Sequence, residues 1–373
     1  MPLFFVVGGF SSAMSLDAFN RDGGGRPQDW VAARLRRMVG PAVLLGGVWA
    51  LVPLVGFGLG QGALVMVALP AAAIPLWFLA NYSIDTALAP WVLPAFRRHP
   101  VLFPAIALSV FISIEGLRLL EVPIIPRINW VLGWLLFQVA GFAWRDGLLP
   151  TGRHLALVGG GFWVAAIGAV IAGPYPVAMV HHDGVVNSPT HPPSGALMLF
   201  GAAYSATAIL AAPAVSRWLG ANHRVWAGVV AANAVAMSVY LWHFTAAIVT
   251  GAGFYAAGLL STASVGTAAW WLAKAPFIAV SVVVLGLIVS KVAPVEQRAL
   301  LAERRPWAGG VASMWAMVAI LSTALKLWAH GSFAVSAAAM AVVLVVWVSA
   351  LSPKATDRMD ATATRFRARA HSA

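Results

Sequence analysis

Few residues of this chain can do chemistry, and most of those lie inside apolar stretches. Tyr240 and His243 share the run Tyr240-Leu241-Trp242-His243, and Asn233 precedes it. At about 100° per residue the three fall within roughly 80° of one another on a helix. His243 is the only imidazole of nine that lies well inside an apolar stretch. Such a group is a candidate general base, although a buried His also serves as a plain hydrogen-bonded residue. Trp77, Asn81 and Asp85 are spaced i, i+4, i+8, which places them along one helix face. Asp85 sits near the middle of its stretch, and ionisable groups at membrane depth are costly and usually functional. The bland alternative is a neutral acid beside an Asn that packs helices. Glu115 and Arg118 are spaced i, i+3 and can pair; a structural ion pair is the simpler reading. The catalytic candidates are therefore His243, Tyr240 and Asp85. Trp77, Asn81, Glu115, Arg118 and Asn233 are candidates for a substrate cavity.

Three more cations stand apart. Arg34, Arg36 and Arg37 occupy the mouth of an apolar stretch. The forked donors of Arg suit phosphate, so these residues are candidates for holding a phosphorylated donor. The competing reading is a positive anchor against lipid phosphates. His181, His182, Asp183 and His191 fall in a Pro- and Gly-rich segment, and adjacent His in a loop is a weak metal signal. No metal site is assigned. Lys326 lies near the end of its stretch, where it can snorkel.

The elements that must position these groups are membrane helices. Hydrophobic residues make up 61% of the chain and charged residues 10%, against about 25% charged in soluble domains. The expected fold is an all-α polytopic bundle of about 11 transmembrane helices, over residues 2–16, 39–57, 74–96, 101–119, 128–144, 154–172, 196–216, 226–249, 276–291, 308–328 and 333–351. Of the 24 Lys and Arg, all but Arg118, Arg127, Lys274 and Lys326 fall in alternate gaps or the C-terminal tail. Cytoplasmic loops retain positive charge, so those gaps and the tail are expected inside. The gaps at 58–73, 120–127, 173–195 and 250–275 are expected outside. The net charge of +12 then reads as topology plus attraction to anionic lipid, not as nucleic-acid binding. Zero cysteines exclude disulfides, thiolate metal sites and Cys nucleophiles. Trp30, Ala33 and Leu35 are expected on the inward face of a short interfacial helix from Trp30 to Met38. The triple glycine Gly23-Gly24-Gly25 is followed by no Gly-Lys-Ser/Thr and is no P-loop. No internal repeat is visible.

Four segments in order resemble acyltransferase family 3. Phe4-Phe5-Val6-Val7-Gly8-Gly9-Phe10 is similar to the apolar Phe-Phe…Gly-Phe helix of that family, with Gly8 where a Ser is usual. Arg34-Leu35-Arg36-Arg37, with Pro41 following, is similar to its basic cytoplasmic segment. Pro75-Leu76-Trp77-Phe78-Leu79 and Tyr240-Leu241-Trp242-His243 are similar to its Trp-Phe-Leu and Tyr-Leu-Trp-His helices. The resemblance covers about residues 2 to 292. It implies an N-terminally truncated membrane domain over 1–292; beyond it, hydropathy and charge give the expectation of two additional transmembrane helices over 293–351 and a basic cytoplasmic tail over 352–373. It implies an enzyme of the cell (inner or plasma) membrane. That enzyme moves acyl, often acetyl, groups from an acyl-CoA donor to hydroxyls of envelope carbohydrate or glycolipid. Acyl-CoA is a co-substrate, and no cofactor is implied. Arg34 and Arg36 would lie near the donor's phosphates.

The resemblance also implies a catalytic His, with an Arg upstream, on a helix before Phe4-Phe5. An odd number of spans with an inside C-terminus places Met1 outside, and residues 2–16 are short for a span, which needs about 20. No cleavable signal precedes them. The expectation is thus a truncated or mis-assigned start that lacks the first helix. Two readings compete with acyl transfer. One is a transporter or flippase of a lipid-linked precursor, using Asp85, Glu115 and Arg118. The other is an inactive truncated paralogue.

The charge pattern makes a topology prediction. Reporter fusions after residues 37, 98, 150, 222 and 305 should read as cytoplasmic, and fusions within 173–195 as external. A cytoplasmic 173–195 segment would reverse the orientation.

Overall fold

The computed structural model describes residues 1–122, 128–179, 190, 192–261, 263–264, 266–301, 315–316, 318–320 and 323. Among these the secondary structure is helical, with one isolated bridge between Thr190 and Pro193. The helices are α1 Pro2–Arg21, α2 Pro27–Gly58, α3 Gly62–Ala73, α4 Leu76–Arg98, α5 Leu102–Leu119, α6 Asn129–Arg145, α7 Gly152–Ile171, α8 Gly195–Ala221, α9 His223–Ala256 and α10 Ala268–Leu301. Seven segments are long and apolar enough to cross a membrane: Pro2–Arg21, Gly62–Arg98, Leu102–Leu119, Gly152–Ile171, Gly195–Ala221, His223–Ala256 and Ala268–Glu296. A helical backbone satisfies its own hydrogen bonds, which lipid cannot do. The all-α polytopic class is therefore the observed one.

Several expected boundaries move. The stretch 39–57 is the second half of α2, where Leu44–Gly58 forms a shorter apolar helix. The stretch 128–144 is α6, of 17 residues. The stretch 333–351, the tail 352–373 and most of 308–328 lie outside the described residues, as do His181, His182, Asp183, His191 and Lys326. The gap 58–73 is mostly the helix α3, because Gly62–Ala73 is apolar throughout. Its turn is confined to Leu59–Gln61, with Gly60 at φ 73° and the Gln61 N–H on the Gly56 carbonyl at 2.8 Å. The interfacial helix at 30–38 is continuous with α2. Trp30, Val31, Leu35, Met38, Ala42, Leu45 and Trp49 are among its buried residues, and Ala33 is exposed. The i, i+4, i+7 stripe from Val31 sets the inward face, and Ala33 falls off it.

The chain forms two compact units. The first comprises Met1–Trp30 and Ile84–Trp226. Here α1 and α6 cross at glycines. A Cβ on Gly9 would lie 2.0 Å from the Gln138 carbonyl oxygen, and one on Gly141 would lie 2.0 Å from the Val6 carbonyl oxygen. Small residues permit such backbone approach between membrane helices. Phe5 stacks on Trp134 at 4.8 Å, and Phe10 packs on Trp144 at 4.7 Å, to either side of the crossing. At one end Arg97 of α4 binds Asp146 after α6 (2.7 Å) and Asp17 of α1 (2.7 Å). Arg145 approaches Asp17 at 3.6 Å. The C-terminal ends of α1, α4 and α6 therefore share one face of this unit, as alternate spans should. Helices α7 and α8 join through Trp163, which donates to the Thr207 hydroxyl at 3.2 Å.

The second unit comprises Val31–Ser83 and Ala227–Ala373. Trp49 of α2 donates to the Thr245 hydroxyl of α9 at 3.0 Å. Glu296 of α10 accepts from Ser238 and from the Trp242 indole N–H of α9. Val65 of α3 packs against Gly56 of α2.

The glycine crossing yields a stability prediction. Gly141→Ala should cost about 1–3 kcal/mol, because the added methyl meets backbone that cannot swing away. Gly160→Ala on α7 is the control: its Cβ meets nothing within 4 Å, and Ala favours the helix by about 0.5–1 kcal/mol. Thermal unfolding in detergent should lower the midpoint for the first variant only. Equal midpoints would mean that the crossing is looser than described.

Candidate functional site

In the second unit, three of the segments singled out in the sequence meet. The Tyr240 O–H donates to the Pro75 carbonyl at the α3–α4 joint, 2.9 Å away. Phe78, one turn into α4, packs edge-on to Tyr240 at 5.2 Å and stacks on Tyr82 at 5.5 Å. Tyr82 in turn interacts electrostatically with Arg34 of α2. The i, i+4 spacing of Phe78 and Tyr82 builds this ladder on one face of α4. His243 lies a turn beyond Tyr240, with its ring 5.8 Å from the Tyr240 ring and 4.6 Å from that of Phe244.

The imidazole has one nitrogen committed. His243 Nδ1 lies 2.5 Å from the Tyr240 carbonyl oxygen. A carbonyl only accepts, so Nδ1 carries the proton and the neutral ring presents the Nε2 lone pair. That is the tautomer a general base needs. Tyr240 differs: its hydroxyl proton is held by the Pro75 carbonyl, so its evident work is to join α9 to the α3–α4 joint.

Arg34 and Arg36 are half-buried and Arg37 is exposed. Burial lowers the pKa of Arg34, with Tyr82 opposing and Arg37 reinforcing the shift; burial also lowers that of Arg36. A guanidinium stays charged throughout. Cations partly withdrawn from water attract an anion more strongly than exposed ones. Trp77 is half-buried. Asn81 is buried, and its side-chain amide meets no hydrogen-bond partner among the described residues. Asn233 is exposed, which separates it from Tyr240 and His243. Helical phase aligned the three, but the N-terminal half of α9 is exposed while packing begins near Ser238. Glu296, which fixes Trp242, was missed because it stands in a polar, basic gap; Ser238 and Trp242 at i, i+4 were the available signal.

In the first unit Glu115 and Arg118 pair as their spacing implied, and more is attached. Arg118 donates from Nε to Oε2 and from Nη2 to Oε1, both at 2.8 Å. Oε1 also accepts from the Tyr175 hydroxyl at 2.9 Å and the Gly195 N–H at 2.7 Å. Gly195 opens α8, so the carboxylate takes one of the donors that a helix start leaves unpaired. Ser194 caps the same helix by accepting from the Leu197 N–H. Glu115 and Arg118 are 6% and 9% exposed, and the acid is saturated. This is a clamp joining α5, the segment after α7, and α8, with no free acceptor for a transported substrate. Asp85 is the opposite case. It is 0% exposed, and neither carboxyl oxygen meets a hydrogen-bond partner among the described residues.

The helices and these contacts define a polytopic membrane protein in which the Pro75–Leu79 and Tyr240–His243 segments pack together and Arg34 lies within electrostatic reach of Tyr82. The acyltransferase family 3 domain, described as an acyltransferase domain, matches residues 1–290. The chain therefore belongs to that family. No curated protein and no solved structure matches it.

The Glu115 clamp has two measurable consequences. Glu115→Ala strands a buried guanidinium and should cost about 3–5 kcal/mol, whereas Glu115→Leu with Arg118→Leu should recover most of it. Thermal unfolding in detergent compares the two. Burial, then the Glu115 carboxylate, push the Tyr175 hydroxyl up from 10.0 to about 12. The folded chain holds this proton more tightly, so the clamp's contribution is whole below pH 10 and lost as pH rises through about 12. Tyr175→Phe should flatten that part of the stability–pH curve.

Proposed function

We propose that this chain is an O-acyltransferase. It moves an acyl group from an acyl-CoA-type donor on the cytoplasmic side to a hydroxyl of an envelope carbohydrate or glycolipid. The observation that carries the reading is the aromatic series from Tyr82 through Phe78 to Tyr240, with His243 beside it and Arg34 within electrostatic reach of Tyr82. Together these groups run from a cation suited to phosphate to an imidazole suited to taking a proton. The family match spans all of them.

The chemistry follows from these groups. The acceptor oxygen attacks the thioester carbonyl, an O–C bond forms and the C–S bond breaks. The hydroxyl proton must leave during attack, and in this reading His243 Nε2 takes it. The departing thiolate recovers a proton and leaves as free CoA. Arg34, Arg36 and Arg37 bind the donor's phosphates, and Tyr240 positions His243. Acyl-CoA is consumed as a co-substrate and no further cofactor enters. The protein acts as a multi-pass protein of the cell (inner or plasma) membrane, with membrane lipids as its surroundings and a cytoplasmic C-terminus. Saturation of Glu115 and Arg118 by Tyr175 and Gly195 counts against the transporter alternative.

The test is acyl transfer by the chain in vesicles with labelled acetyl-CoA and a mixed envelope-glycolipid acceptor. Arg34→Ala with Arg36→Ala should raise the KM for the donor, each lost phosphate contact being worth about 1.5–3 kcal/mol. His243→Gln should lower kcat by about 100- to 10,000-fold with little change in donor KM. An unchanged donor KM in the correctly inserted double variant would sink the donor site. Unchanged kcat in His243→Gln would remove His243 from the chemistry.

A further inference from the structure

One cation of the second unit breaks the pattern that orients the others. Lys274 is the only Lys, Arg, Asp or Glu between Arg224 and Lys291, and it falls in a gap expected outside. It lies near the start of α10, which opens at Ala268; at 1.5 Å per residue that is about 9 Å along the helix. Trp270, Lys274 and Phe277 are spaced i, i+4, i+7 and share the half-buried face of α10. The Lys274 Nζ lies 5.1 Å from the centroid of the Trp270 ring and 5.6 Å from that of Phe277. Both rings are themselves placed. Phe277 meets Phe254 of α9 edge-on at 5.6 Å, and Trp270 meets Trp271 edge-on at 4.7 Å. Ring faces attract an ammonium but do not neutralise it, and its three N–H groups remain donors. Lys274 makes no ion pair among the described residues. An anion is therefore the missing partner. The surface beside this cation is apolar: Trp271 is 63% exposed and Leu272 74%. A ligand that joins negative charge to hydrocarbon matches both features at once.

We propose that Lys274, framed by Trp270 and Phe277, binds the phosphate of an anionic phospholipid in the leaflet that meets the N-terminal end of α10. The ammonium donates to the phosphate oxygens, and the acyl chains run along Trp271 and Leu272. A zwitterionic choline lipid fits less well. Its cation would need an acid or an aromatic face, but this stretch of chain has no acid and the two rings already hold the Lys274 ammonium. The bound headgroup sets the depth of α10, and the Phe277–Phe254 contact passes that constraint to α9. The site stands independently of the acyl-transfer reading.

The test uses the full chain in phosphatidylcholine vesicles, with and without added phosphatidylglycerol. Acetic anhydride labels amines on both sides of the bilayer, and mass spectrometry reads the adduct at each lysine. Lys291, exposed further along the same helix, is the internal reference for reagent access and surface charge. Phosphatidylglycerol should slow labelling of Lys274 by about tenfold relative to Lys291 near saturation. Trp270→Leu should keep Lys274 reactive and lose most of that excess protection. Equal slowing at both lysines would be a general surface-charge effect and overturns the site. Labelling of Lys274 that phosphatidylglycerol leaves unchanged overturns it too, whether fast or already slowed by the rings alone. Protection by glycerol phosphate in pure phosphatidylcholine vesicles would make this a site for a soluble anion and reject the lipid. Full protection retained in Trp270→Leu would reject the ring-framed geometry. If Trp270→Leu fails to insert, the protection of Lys274 relative to Lys291 in the parent protein decides the matter.

Discussion

Everything in the first unit depends on one constraint: hydrocarbon supplies no hydrogen-bond partner, so a polar group carried into it must be matched by the chain. Glu115 meets that constraint fully. Its two oxygens take four donors, from Arg118, Tyr175 and Gly195, and so fix α5 against the start of α8. At the other end Arg97 does the same for α1, α4 and α6 through Asp17 and Asp146. Between these two polar clamps the helices need only fit, and Gly9 and Gly141 let α1 and α6 approach until backbone touches backbone. The two ends differ in kind. Arg97 and its partners are partly exposed, where each pair is worth about 0–1 kcal/mol. The Glu115 cluster is buried, so losing either partner is the expensive event.

What the sequence revealed followed the range over which its signals act. Hydropathy over a span is local, and the helical class was legible. The i, i+3 spacing of Glu115 and Arg118 is also local, and the pair was legible. Tyr175 and Gly195 were not, because they lie 60 and 80 residues from Glu115 and nothing in their own neighbourhoods marks them. Charge in alternate gaps predicted that α1, α4 and α6 end on one face, which their shared clamp bears out. Periodicity failed where it was asked which part of a helix is packed. Asn233 shares a phase with Tyr240 and His243 yet sits in the exposed half of α9. Ala33 was misplaced by anchoring the phase on Trp30 rather than on the Val31–Leu35–Met38 stripe. The gap 58–73 is set outside by its position between spans, although most of it is the apolar helix α3.

In the second unit the same constraint sorts the candidate chemistry. A hydroxyl that has given its proton to a carbonyl, as Tyr240 has to Pro75, is tied to structure. An imidazole that has given only one of its two nitrogens, as His243 has, is not. The aromatic ladder of Tyr82, Phe78 and Tyr240 holds α4 and α9 in register through ring contacts, and the His243 ring lies beside it. Glu296 contributes from the opposite side by holding Ser238 and Trp242, so α9 is fixed in rotation on either side of His243.

Asp85 and Glu115 make the sharpest comparison in the chain. Both are carboxyl side chains on membrane helices of the first unit, and both are buried. One is saturated and the other meets no donor. An acid kept for stability alone would resemble Glu115, since a buried polar group gains nothing unless its partners are in place. An apolar residue in the place of Asp85 would avoid the desolvation penalty and fill the same volume. The Asp85 carboxyl therefore carries a desolvation cost that no hydrogen-bond donor among the described residues offsets, whereas Glu115 is matched on both oxygens.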